Sequence, residues 1–304
     1  MVDVDSALRA SAYSGRKNKS DSKDGEKPAS IEPFDPAAHA IKEKADAISM
    51  WTVIALGVLV AFLMRYQMMT RLEGPQQVLW LLPLLGTLAI PSIHRLVVPS
   101  EFFDLYTGGN WFRASFLYLF TWLALSFALV NPPMADVAAP HLAGAIDVEA
   151  NDGISLTSLE GSTYNIEIVQ DQVPVVIGLA VRDNVNATNA QMSMTITKKG
   201  IEEPIISASG TVSDIANSGP GEDFQSVQEW SRGMHWNALM KFHTDHPKVA
   251  PNGQDIGMAW NLCEGGCEPG IFTISIELSE DSSVWSNGLN TWSQEYTVRI
   301  SQVG

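Results

Sequence analysis

Residues 111–130 read WFRASFLYLFTWLALSFALV, and the run stops at Asn131-Pro132-Pro133. A stretch of this length with one charge, Arg113 near its start, matches an α-helix across a hydrocarbon core, which takes about 20 residues. Trp111 suits the water boundary, and Arg113 lies close enough to it to snorkel. Upstream of this run the chain reads as membrane and tail. Downstream it reads as water-soluble β-structure.

Two further apolar runs precede it. Ile48–Met64 carries no charge, with Trp51 at one end and Arg65-Tyr66 at the other as interfacial anchors. Val78–Val98 is interrupted by Pro83 and Pro91. Counted only to Ile90 it has re-entrant length; counted through His94 and Arg95 it spans, with both side chains reaching the headgroups. Three transmembrane helices, at about 48–64, 78–98 and 111–130, are therefore expected within a membrane region covering 47–133. The connections are RLEGPQQ, broken by Gly74-Pro75, and the aromatic loop PSEFFDLYTGGN.

Charge is strongly segregated. Residues 1–46 mix eight Lys/Arg with nine Asp/Glu and hold few large apolar side chains, the composition of a disordered tail. Only PAAHAIKEKADA (36–47) suggests a short helical lead-in. Residues 131–304 carry seven Lys/Arg against 22 Asp/Glu, which accounts for the whole net charge of −15. Such a surface repels nucleic acid and anionic headgroups. It favours solubility, or else a basic partner or cations.

Lys42, Lys44, Arg95 and Arg113 flank the tail side of the spans, and no Lys or Arg follows Arg113 until Arg182. By the positive-inside rule the tail and second loop are cytoplasmic, and the C-terminal domain is extracytoplasmic. A multi-pass protein of the cell membrane is expected. Arg65 and Arg71, in the first loop, count against this orientation.

From about residue 150 the apolar period becomes two. Tyr164, Ile166 and Ile168 alternate with polar residues, as do Met192, Met194 and Ile196. Similar runs cover 173–181, 236–242, 256–262, 272–278 and 296–300, separated by turn signals such as Lys199-Gly200, Asn252-Gly253 and Pro269-Gly270. Eight to ten strands predict an antiparallel β-sandwich over 134–304. The full architecture is α+β: three membrane helices, then an acidic sandwich. The segment PGIFTISIELSED resembles the penultimate strand of immunoglobulin-like or fibronectin-like modules, and SQEYTVRIS resembles their final strand. That resemblance implies an immunoglobulin-like fold and carries no activity with it.

Several groups could bear chemistry. Cys263 and Cys267, the only cysteines, stand in C-x3-C around Gly265-Gly266, and their simplest chemistry is a disulfide closing a tight turn. A membrane-anchored β-domain with C-x3-C is also similar to oxidase subunit II, which binds copper. That family places a His four residues and a Met seven residues after the second Cys; here Ile271 and Ile274 occupy those positions. His243, Asp245 and His246 have metal-capable side chains without a matched further ligand. The Asp183–Asn189 loop is rich in oxygen donors but lacks the spacing of a calcium loop. Asn186-Ala187-Thr188 is an N-glycosylation sequon. Trp285 and Trp292, in DSSVWSNGLNTWS, are candidates for an exposed aromatic binding platform, with packing over a sandwich end as the alternative.

No nucleophile elbow, phosphate loop, dinucleotide fingerprint or H-E-x-x-H motif appears, and no ionisable residue lies in mid-span. The expected function is non-enzymatic and without a cofactor: binding of a protein or surface polymer at the cell envelope, with no nucleic-acid or small-molecule ligand. The alternative is an accessory subunit of a larger membrane complex.

Overall fold

The computed structural model describes residues 35–231, 249–250 and 253–303. The chain divides into Met1–Lys44 and Ala45–Gly304. Most of the expected tail, 1–34, lies outside the described residues. The helical lead-in and the first span are one helix, α1 (Pro36–Leu63). Asp35 starts it by accepting the Ala37 amide through Oδ1 at 2.9 Å, with Pro36 in the first turn.

α1 continues through a π-turn (Met64–Met68) and a 3-10 turn (Met69–Arg71). The second membrane segment is α2 (Val78–Gly86), a 3-10 turn (Thr87–Ala89) and α3 (Ile90–Val97). After the short α4 (Ser100–Phe103) comes α5 (Gly108–Val130), opened by a Thr107/Asn110 capping box. Three helical segments, Pro36–Arg71, Val78–Val97 and Gly108–Val130, are long and apolar enough to cross a membrane. The middle one is full length in spite of its prolines. Pro83 and Pro91 lack amide hydrogens, so the helix tightens at Thr87–Ala89. Tyr118 of α5 donates its hydroxyl to the Pro83 carbonyl at 2.9 Å, the partner that the bilayer could not supply. Gly86 makes room, because a Cβ there would stand 2.6 Å from that hydroxyl oxygen.

At the tail end, Tyr106 donates to the Ala45 carbonyl at 2.6 Å, and Asn110 donates to Asp46 at 3.0 Å. His94 does not reach the headgroups. It is fully buried, its Nε2 2.9 Å from Ser49 Oγ and its ring edge-on to Tyr106 and Trp111. Each hydrogen bond replaces one that water would have offered. Arg95, one residue on, is exposed.

The remainder holds two sheets. In one, β5 (Val176–Arg182) pairs with β1 (His141–Leu142), β2 (Asp147–Val148) and β8 (Ile256–Asn261). The other contains β3 (Ile154–Glu160), β4 (Thr163–Ile168), β6 (Gln191–Lys198), β7 (Ile206–Thr211), β9 (Gly270–Asp281) and β10 (Leu289–Gln302). Their order across the sheet is β3-β4-β10-β9-β6-β7. All pairs are antiparallel except β10 with β4, which run parallel from Thr297↔Thr163 to Gln302↔Ile168. That pair departs from the expectation of an antiparallel domain throughout.

Both sheets feed one buried cluster. Tyr164, Ile166 and Ile168 meet Met192, Met194, Ile196, Ile274 and Ile276 from the six-stranded sheet, and Ile177, Leu179 and Met258 from the other. Burying a large apolar side chain contributes about 1.5–3 kcal/mol, so alternation along these strands decides which face turns inward. β5 is an exception, being buried on both sides. Ala180 joins a second cluster with Phe224, Trp230, Val249 and Ala259. It is covered there by α7 (Pro220–Ser226), which follows α6 (Val212–Asn217). The unbroken apolar run of β5 reflects that two-sided cover.

Candidate functional site

The most constructed polar feature among the described residues lies where the sheet domain meets the spans. The β9–β10 hairpin turns at residues 282–288, and its tip enters a third apolar cluster. Val284 and Trp285 pack with Met69, Leu72 and Leu79, in and beside the first loop, and with Val130, Ala135 and Val137 at and beyond the end of α5. Backbone and side chain both join it: the Ser286 amide donates to Leu72 O at 2.8 Å, and Asn287 Nδ2 donates to Glu73 O at 3.1 Å.

Asn290 is the polar centre of this joint and is only 2% exposed. Its Oδ1 accepts the Trp285 indole N–H at 2.6 Å. Its Nδ2 donates to the Asp136 carbonyl at 3.2 Å and to Glu280 Oε1 at 2.7 Å. One amide therefore connects the hairpin, the linker after α5 and β9. A buried amide with both ends engaged fixes geometry, because each lost partner would leave a desolvated polar atom.

Three carboxylates gather beside it. Oxygen atoms of Asp136, Asp183 and Glu280 lie within 4.8 Å of one another. Burial, together with the charges of Asp183 and Asp136, pushes the Glu280 carboxyl above the usual glutamate range, and the Asn290 hydrogen bond offsets part of this. Desolvation and like charge both favour the protonated form. An all-oxygen donor set of this kind matches hard cations in chemistry. Sequence reasoning missed this group, since its members lie far apart in the chain and paired acids are common throughout the domain.

The sequence-derived candidates fall as follows. Trp285 is buried and therefore forms no exposed platform; its apolar neighbours lie in and beside the first loop and around the end of α5, remote in sequence. Trp292 is half-buried against the main core. Packing, the alternative reading, describes both tryptophans. Cys263 and Cys267 are joined as a disulfide with Cα atoms 5.2 Å apart. Gly265 and Gly266 take positive φ, and a Cβ on Gly266 would meet the Gln172 backbone. Ile274, at one of the copper-ligand positions, is buried in the core.

His243, Asp245 and His246 lie outside the described residues. Asn186 is exposed; its Oδ1 accepts the Thr188 amide at 2.9 Å. Asp183 Oδ2 accepts the amides of Val185 and Asn186, at 2.9 and 2.7 Å, so the 183–189 segment is an Asx-type turn.

The arginines of the first loop also have structural tasks. Arg65 is buried, its Nε donates to the Leu129 carbonyl at 3.2 Å, and its guanidinium lies over the Tyr66 ring. It caps the end of α5, where carbonyls lack helical partners. Arg71 bonds Gln67 at 3.4 Å. Compared with protein-family models and with curated proteins, the chain matches none.

Proposed function

We propose that this is a non-enzymatic membrane protein of the cell envelope, with a cytoplasmic N-terminus and an extracytoplasmic, immunoglobulin-like β-sandwich that binds a protein or surface polymer. The observation that carries the reading is the joint around Asn290. A domain tethered only to catch ligands needs a loose linker. Here a buried tryptophan, a satisfied amide and an apolar cluster hold the sheets in one attitude on the spans. That suits presentation of a fixed surface to a partner.

Orientation rests on the Lys/Arg asymmetry. Arg65 and Arg71 stand against it: Arg65 on the Leu129 carbonyl and Arg71 beside Gln67 have neutral partners and keep their charge. The acidic surface favours a partner with basic groups.

A second reading, an accessory subunit of a larger membrane complex, is favoured by the outer face of α5. Phe112, Phe116, Phe120 and Phe127 lie on it, each more than 60% exposed. Their spacing of mostly four residues forms one stripe, apolar enough for neighbouring helices or for lipid.

Purification of the intact chain in mild detergent, followed by identification of what accompanies it, decides between the readings. Capture of an extracytoplasmic protein or polymer without other membrane subunits supports the first. Stoichiometric membrane subunits would replace it with the second. An external protease that cannot reach the sheet domain in intact cells would reverse the orientation.

A further inference from the structure

Between α1 and α5, at the end where Tyr106 and Asn110 meet the first span, lies a groove of about 320 Å³. Asp46 and Met50 form one wall, one helical turn apart; Arg113 and Leu117 form the other at the same spacing. Ser49 and Ala114, both buried, form its floor and leave the room. The groove is therefore charged at its mouth and apolar within. That is the polarity profile of a phospholipid entering a bilayer.

The mouth holds a cation paired with an anion. Arg113 and Asp46 form an ion pair, with Nη2 facing Oδ1. The same Asp46 carboxylate oxygen accepts from Asn110 at 3.0 Å, which holds it in place. Guanidinium carries five N–H donors in a planar fork, more than one carboxylate takes even when bidentate, so donors remain for phosphate oxygens. Arg113 is 61% exposed, so its fork faces the interface. A helix with side chains is about 10–12 Å across, too wide for a groove of this volume, whereas a single acyl chain is narrow enough.

We propose that this groove binds one membrane phospholipid, with its phosphate on the Arg113 guanidinium and one acyl chain between Met50 and Leu117 over Ala114. The lipid lies along the seam of α1 and α5, where Ser49 and Ala114 are small. Basic positions between transmembrane helices are recognised headgroup sites in general, and the Asp46 partner here sets the fork's orientation.

The test uses the full chain in detergent, stripped of lipid and titrated with dioleoyl phosphatidylglycerol or dioleoylglycerol. These share acyl chains and differ in the phosphate. Native mass spectrometry reads the lipid retained. The expected result is one phosphatidylglycerol per chain, held about tenfold more tightly than the diacylglycerol. Arg113→Gln should remove that preference, and Arg113→Lys should restore part of it. Ala114→Leu, which fills the floor, should expel both lipids, with thermal unfolding and circular dichroism confirming an intact fold. Equal retention of the two lipids, an unaltered preference in Arg113→Gln, or a groove closed by a second copy of the chain would overturn the proposal.

Discussion

The indole nitrogen of Trp285 stands 2.6 Å from the Asn290 side-chain oxygen, across the turn of a hairpin whose tip is buried against the membrane helices. The contact lies inside an interface between two kinds of structure, an apolar helical bundle and an acidic β-domain. Removing either partner should be felt on both sides. Asn290→Ala leaves the indole N–H and Glu280 short of partners and should cost about 1–3 kcal/mol. Trp285→Ala also opens a cavity and should cost about 3–5 kcal/mol. Trp285→Phe keeps most of the packing and should fall between wild type and Trp285→Ala. Thermal unfolding in detergent measures the loss, and new protease cleavage at residues 131–140 would locate it. Wild-type resistance at that linker in Asn290→Ala would contradict the role assigned to the amide.

The joint should also respond to pH. The Glu280 carboxyl titrates above its unfolded range, ~4.3, so the folded protein favours its proton. The stability from this group is fully present below the unfolded value and is lost as pH rises through the folded one. Unfolding midpoints measured from pH 4 upward should therefore include a falling component that Glu280→Gln removes. A variant whose pH profile matches wild type would show that the crowding with Asp136 and Asp183 has no energetic consequence.

Arg65 gives a third prediction. Its guanidinium serves the Leu129 carbonyl from a buried position, so Arg65→Leu should leave the end of α5 uncapped and cost about 1–3 kcal/mol. Arg71→Leu, at an exposed site, should cost no more than about 0.5 kcal/mol. A fluorescence thermal-shift series in one detergent compares them directly. Equal effects would mean that Arg65 acts only as a juxtamembrane charge.

Two glycines in the sheet domain are predicted to tolerate no side chain. A Cβ on Gly178 would collide with the Trp230 ring, and Gly266 has φ +99° facing the Gln172 backbone. Gly178→Ala should displace Trp230 and cost about 1–3 kcal/mol as overpacking. Gly266→Ala should strain the loop between the cysteines and slow disulfide formation, which thiol titration during oxidative refolding would follow. Gly161→Ala, in open space at φ +60°, serves as the control for backbone strain without a clash.

How much of this could be read in advance follows physical lines. The spans were legible because hydrocarbon imposes both length and composition on a helix. The strands β4, β6 and β9 were legible because one buried face enforces period two. The edge strand β3 (ISLTSLE) was not, since its residues are half-covered and Leu156 is 55% exposed. Trp285 looked like an exposed aromatic because its neighbours in sequence are Ser, Asn and Gly. What hides it is Met69, Leu72 and Leu79, apolar residues within and beside a loop that themselves called for a partner. Asn290 and His94 belong to the same class. Local pattern marks both as polar and therefore outward, and only contacts from distant segments make their burial affordable. Asp136, Asp183 and Glu280 were hidden because acidity was uniform along the domain.

One consequence of the Asn287–Glu73 contact concerns time rather than geometry. The two residues are 214 positions apart, the longest separation of any side-chain hydrogen bond at the joint. During synthesis the first loop emerges long before the hairpin that covers it. Until residue 290 has been made and the sheets have closed, Leu72 and Leu79 at the bilayer surface have no apolar partner from the hairpin. Loop closure over so many residues comes late in folding. The covered loop is therefore a mark of completion. A chain stalled or misfolded in its β-domain still displays that greasy loop, a ready handle for the proteases and chaperones that patrol membranes.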